Sequence, residues 1–192
     1  MCMLVHMNSR NAAATRQRIL EQARRQFSQH GYAAITVKGV ADAAGVSPNL
    51  ITRYFGGKDG LFLAATQVTI PVTNSFDGDR STLGARLAAS IVQRWFGEPG
   101  EDPLLVLQRA SGERPEAAEA LAAFLDTNSL EPLHAYLRAG GLDDAEARGR
   151  AAAIDAFVLG VSTRRRVLRF ELGDPEALEA WLARTIQRLA DG

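Results

Sequence analysis

The stretch TVKGVADAAGVSPNLITRYFGGKDGLF, Thr36 to Phe62, decides the fold of this chain. Its spacing predicts two short helices joined by a glycine turn, with a third helix starting at once. Thr36 is placed to cap the first, whose buried face is Val37, Val40, Ala41 and Ala44. Gly45 follows where that helix must stop, because a residue without Cβ accepts positive φ. Ser47 then caps the second helix, with Pro48 at its first position, where a missing N–H costs nothing. Leu50, Ile51 and Tyr54 or Phe55 recur at three- and four-residue spacing and pin that helix inward. Ala41 is small, as close crossing of two helices requires. Asn49, Thr52 and Arg53 are left facing out. The pattern is a helix-turn-helix.

Charge singles out the same region. Residues 1–66 hold eight Lys or Arg (10, 16, 18, 24, 25, 38, 53 and 58) against acids at 21, 42 and 59, a balance of +5. The whole chain has 22 basic and 22 acidic residues, so residues 67–192 carry −5. A formal net charge of zero therefore conceals a basic head on an acidic body. A polyanion such as double-stranded DNA is the natural partner of such a head.

Working outward, helical periodicity dominates the 192 residues and strand-like alternation is nearly absent. Residues 1–12 are expected to be a disordered arm, and residues 13–70 a helix-turn-helix domain. Its first helix runs from about Ala13 to His30, burying Ile19, Leu20, Ala23 and Phe27 and turning Arg16, Arg24 and Arg25 outward. Gly56-Gly57 stops the third helix. A fourth begins near Lys58 with Leu61, Phe62 and Ala65 inward. The turn-rich segment PVTNSFDGDRS, residues 71–81, opens a second domain covering residues 71–192. There a fifth helix runs to about Phe96, a sixth from Pro103 to about Ala110 and a seventh from Pro115 to about Leu137. Pro132 predicts a kink in the seventh, or a split near Asn128-Ser129. An eighth runs from Asp143 to about Phe170 and a ninth from Asp174-Pro175 to about Leu189. The fold class is thus all-α, with about nine helices.

From Arg16 to Thr66 the chain resembles the N-terminal domain of the TetR/AcrR-type transcriptional regulators. ILEQARRQFSQHGY leads, then T-x-x-x-V-A-x-x-A-G-V-S, a short helix ending Y-F, and G-G-K-x-x-L. The resemblance implies a sequence-specific DNA-binding regulator, expected to be a repressor released from a palindromic operator by a small-molecule effector. The alternative is an architectural DNA-binding protein without effector. Carried onto matching positions, the family pattern puts Thr36, Tyr54 and Lys58 on the phosphate backbone. Free N–H groups near Thr36 and Lys58 suit an anion. Ser47, Pro48, Asn49, Leu50, Thr52 and Arg53 complete the DNA-facing set. Of these, Asn49 suits an adenine edge, Arg53 a guanine or a phosphate, and Thr52 or Leu50 a thymine methyl. Asn49 and Thr52 depart from the family's more frequent glycine and tyrosine, which leaves the operator sequence unread.

For the second domain the resemblance implies homodimerisation through the last two helices and a ligand pocket among helices five to eight. Phe157, Val161, Leu178, Trp181 and Leu182 are the candidates for the dimer seam. Trp95, Phe96, Leu105, Arg109, Phe124, His134 and Phe157 are the candidates for the pocket. Arg164, Arg165, Arg166 and Arg169 are read as complementing the dipole at a helix C-terminus.

Enzymatic classes find no support, because no nucleophile–base pair, carboxylate pair or phosphate loop stands out. GGKDG lacks the length and the following Ser or Thr of a P-loop. Histidines 6, 30 and 134 are scattered, so no metal site or cofactor is expected. Cys2, the single cysteine, suits a reducing cytoplasm. No apolar run approaches the roughly 20 residues that span a bilayer, and the opening MCMLVHMNSR, without a sustained apolar core or a small-residue cleavage site, is not expected to be a secretion signal.

Overall fold

The computed structural model describes the backbone of residues 3–67, 73–96 and 102–192, and side chains from residue 12 onward apart from 68–74 and 97–101. Among these residues all regular structure is helical. Contacts divide the chain into two compact units, residues 1–68 with 98–112, and residues 69–97 with 113–192.

In the first unit, α1 (Met3–His30) packs against α2 (Val37–Ala44) and α4 (Lys58–Ala65), while α3 (Pro48–Phe55) is held between α2 and α4. The arm expected at residues 1–12 is helical from Met3; Met1 and Cys2 lie outside the described residues. No glycine or proline interrupts Met3 to His30, and the alanines at 12–14 favour continuation. Ile19, Ala23, Phe27, Val40, Ala41, Ile51, Leu61 and Phe62 form the core. Arg24, expected to face outward, instead lies half-buried and donates from Nε to the Ala65 carbonyl at 3.0 Å and from Nη2 to the Gln67 carbonyl at 3.3 Å. It thereby serves the last carbonyl of α4 and one just beyond the helix end. Burial pulls its guanidinium below the usual pKa, and the Glu21 charge works the other way. A sixth helix, α6 (Pro103–Ala110), also joins this unit by packing on α1, although it was expected in the second domain. Asp102 caps α6 by accepting the Leu104 N–H at 3.0 Å.

In the second unit, α5 (Leu83–Phe96) runs along α10 (Pro175–Asp191) as its main partner. The Gly84 N–H donates to Gln187 Oε1 at 3.0 Å, and Gln187 Nε2 returns a bond to the Arg80 carbonyl at 3.0 Å. The predicted seventh helix is realised as α7 (Pro115–Leu125), a π-helical turn (Asp126–Leu130) and α8 (Glu131–Ala139). Pro132 falls within the first turn of α8, where it removes no needed donor, and the irregularity settles at Asn128-Ser129. The predicted eighth helix is α9 (Asp144–Ser162), extended by a second π turn (Thr163–Val167). It ends short of Phe170 because Arg169 turns left-handed, at φ 57°, and the Phe170 N–H closes on the Arg164 carbonyl at 2.9 Å. Asp143 and Asp174 cap α9 and α10 as expected, accepting from Glu146 N at 2.9 Å and Ala177 N at 2.8 Å. Leu83, Ala88, Trp95, Leu133, Leu137, Ala151, Ile154, Leu178, Leu182 and Ile186 are among the residues of one buried cluster. No helix among the described residues is long and apolar enough to cross a membrane.

Candidate nucleic-acid interface

The turn that aims α3 is built from backbone bonds. Gly45 adopts φ 64°, and the Val46 N–H reaches back to the Ala41 carbonyl at 3.0 Å, so the chain leaves α2 at a fixed angle. Thr36 caps α2 as expected, its Oγ1 accepting the Gly39 N–H at 3.0 Å. Val37, expected in the buried face of α2, is only partly covered. Ser47 occupies the cap position of α3, but its hydroxyl makes no capping bond. Its carbonyl accepts from Leu50 N at 3.0 Å and closes the turn instead.

Ile51 and Phe55 anchor α3, at 0% and 9% exposure. That choice settles the Tyr54-or-Phe55 ambiguity, since Phe55 is inward and Tyr54 only partly covered. The opposite face shows Pro48, Asn49, Thr52 and Arg53 to solvent, with Thr36 and Ser47 exposed beside it in sequence and Leu50 partly covered. One amide (Asn49), one hydroxyl (Thr52) and one guanidinium (Arg53) thus share the exposed parts of a helix whose apolar side is spent. A short helix presented in this way fits the major groove, where such groups read base edges.

Lys58 opens α4 and is partly covered. Its Nζ lies 4.2 Å from the centroid of the Tyr32 ring and donates to the Ala33 carbonyl at 3.3 Å. Tyr32 in turn donates from its hydroxyl to Asp59 Oδ1 at 2.6 Å. Its ring is stacked with Phe27 and set edge-on to Phe62. The Arg16 guanidinium lies 5.0 Å from the Phe55 centroid. Sequence reasoning missed Tyr32, Asp59 and the Arg16 contact. The only available signal was an aromatic directly after the glycine that ends α1.

The candidates in the second unit fare differently. Val161, Leu178 and Leu182, taken as seam residues, are buried at 7%, 1% and 0% exposure in their own subunit's core. A side chain already covered there has no surface to offer a second copy, so these three are corrected to core. Trp181 remains 40% exposed, with Phe157 partly covered and edge-on to it at 5.4 Å. Of the pocket candidates, Leu105 and Arg109 lie on α6, in the first unit. Trp95 is buried and its Nε1 has no hydrogen-bond partner among the described residues. His134 is buried with Nε2 3.2 Å from Asp144 Oδ1. Arg165 lies 4.0 Å from the Phe96 ring centroid, and the Phe124 carbonyl accepts from Asn128 Nδ2 at 3.0 Å. An open groove of about 420 Å³ beside α5 and α10 is lined by Ala85, Pro175, Glu176, Glu179, Ala180 and Ala183, none of them a pocket candidate.

Comparison with known proteins accords with this geometry. Residues 19–65 match the sequence profile described as bacterial regulatory proteins, tetR family. Residues 81–189, more than half the chain, match the profile described as tetracyclin repressor-like, C-terminal domain. The chain belongs to the TetR family. It is 50% identical over 50 residues to the HTH-type transcriptional repressor AcnR of Corynebacterium glutamicum, a match spanning 26% of this chain and 27% of that protein. With the HTH-type transcriptional regulatory protein RaaS of Mycobacterium tuberculosis it shares 32% identity over 145 residues, 71% of this chain and 65% of that one. The fold is that of a TetR-family transcriptional regulator from Streptomyces coelicolor, with a TM-score of 0.75 at 20% identity over 100% of this chain and 95% of the other.

Proposed function

We propose that this TetR-family chain is a sequence-specific, DNA-binding transcriptional repressor of the cytoplasm, acting as a homodimer and released from its operator by a small-molecule effector. The observation that carries the reading is α3, with Ile51 and Phe55 buried and Asn49, Thr52 and Arg53 turned out together. The basic balance of the head supports it, because phosphate neutralisation supplies the sequence-independent part of the affinity. Pairing of two heads supplies what one short helix lacks, since each good bidentate base contact contributes only about 1–3 kcal/mol. The Trp95 indole N–H, buried in the body without an acceptor among the described residues, supports an effector: such a group is costly to bury, and a ligand oxygen would satisfy it.

Selection of duplexes from a random pool by the purified chain tests the reading. Enrichment of a two-fold symmetric sequence with half-sites about one helical turn apart is the expected result. Enrichment of no sequence would favour architectural binding. Arg53→Ala should alter the preference at one position of each half-site if the guanidinium reads a base, and weaken all sequences alike if it holds a phosphate.

A further inference from the structure

We propose that Tyr32 is a positioning residue for DNA binding, its ring serving as the platform that holds the Lys58 ammonium where a phosphate meets the start of α4. The proposal rests on the reading of Lys58 as a phosphate contact and adds to it the residue that makes the contact selective in space. A lysine on a flexible four-carbon stem loses much rotamer freedom when it grips an anion, and that loss weakens the grip. Here the ammonium is already placed. The ring face of Tyr32 lies 4.2 Å from Nζ, within the range of a cation–π contact, and the Ala33 carbonyl accepts one of its three protons at 3.3 Å. Donors remain for an anion.

The platform is itself fixed from three sides. Phe27, 1% exposed, stacks with the ring at a centroid distance of 6.0 Å and an interplanar angle of 7°. Phe62, also 1% exposed, meets it edge-on at 5.2 Å. Asp59 Oδ1 accepts the phenol proton at 2.6 Å. This last bond has a second consequence. Asp59 follows Lys58 directly, and its carboxylate would compete with a phosphate for the ammonium; held on the phenol, it is turned to another partner. The residues come from the α1–α2 connection and from the first turn of α4, so the platform also ties those two segments at the point where DNA is met.

The test uses the full chain, a duplex selected by it from a random pool, and a random-sequence duplex of equal length. The readout is the slope of log Kobs against log[salt], which counts phosphates neutralised. Lys58→Ala should lower the slope by about two per dimer, one for each head, on both duplexes. Tyr32→Leu should lower it by a similar amount, and the double variant should lower it no further. Tyr32→Phe, which keeps the ring but releases Asp59, should lose clearly less of the slope than Tyr32→Leu. That rescue separates positioning from a merely structural role, and far-UV circular dichroism with thermal melting verifies that each variant is folded. Lowering by about four in the double variant, or loss of slope in Tyr32→Phe equal to that in Tyr32→Leu, would overturn the proposal alone. An unchanged slope in Lys58→Ala would remove the phosphate contact and the proposal with it.

Discussion

Gly60 is the least tolerant of the head's described glycines to an added Cβ. A Cβ built there would stand 1.7 Å from the Phe55 carbonyl oxygen, a backbone atom that cannot swing aside. The contact joins the end of α3 to the start of α4, so widening it must move the recognition helix. Gly60→Ala should therefore lower the melting temperature of the head and reduce DNA affinity at least tenfold, read by circular dichroism and by fluorescence anisotropy on selected duplexes. Parental affinity in this variant would show that α3 tolerates displacement. Gly45 differs in kind. Nothing lies within 4 Å of a Cβ added there, so Gly45→Ala meets only the backbone cost of φ 64°, roughly 1–2 kcal/mol. The sequence marked Gly45 through its place in the turn, whereas Gly60 looked like one glycine among several in GGKDG, because its constraint comes from a neighbouring carbonyl.

Among elements, α4 depends on a side chain from α1. Arg24→Met keeps most of the packing stem but removes the donors to the Ala65 and Gln67 carbonyls. Charge-assisted bonds contribute about 1.5–3 kcal/mol when buried, and half-burial here argues for about 1 kcal/mol. Urea unfolding should register that loss as a lower midpoint with little change in slope. In the body, α9 meets the π turn between α7 and α8 through Asp155. Burial is the main cause holding its carboxyl above the ordinary value of 3.8; the Asp126 charge adds to this, and a hydrogen bond with Ser129 opposes it. A carboxyl raised in the folded state binds protons more readily there than in the unfolded chain. Stability from this group is thus present below 3.8 and declines as pH rises through the raised folded value. Asp155→Asn should raise the melting temperature at neutral pH, with the gain shrinking as pH falls towards 4. A gain independent of pH would show that ionisation of Asp155 is not its source. Periodicity placed α7 to α9 well, but the meeting of Asp155 with Asp126 was invisible because it joins residues far apart in the chain.

On the scale of the whole molecule, Trp181 is the test of assembly. It is one of five large apolar side chains left exposed among the described residues, and Phe157 stands beside it. Trp181→Glu removes apolar surface without creating a buried charge in the free subunit, so the fold should survive. Sedimentation should then show monomers, and operator affinity should fall by about 10²–10⁴ as the tethering of two heads is lost. Dimers of normal affinity would place the seam elsewhere. Leu178→Ala, by contrast, should destabilise the subunit by about 2–5 kcal/mol through the cavity it leaves.

The sequence by itself determined the helical class, the order of the helices, the caps at Thr36, Asp143 and Asp174 but not at Ser47, and the outward face of α3. Each depends on residues within one or two turns of one another, where propensity, capping and spacing act directly. Tertiary structure alone decided which partner each stripe covers. An amphipathic face says that burial is required, but not against what. Leu178 and Leu182 therefore looked as suitable for a second copy as Trp181, until packing with α5 and α9 left only the tryptophan uncovered. For the same reason α6 joined α1, and Arg24, read as a solvated cation, became a cap for α4. The Lys58 platform is of this kind too: it brings Tyr32 to a residue 26 positions along the chain, through an aromatic cluster that exists only after the helices have packed.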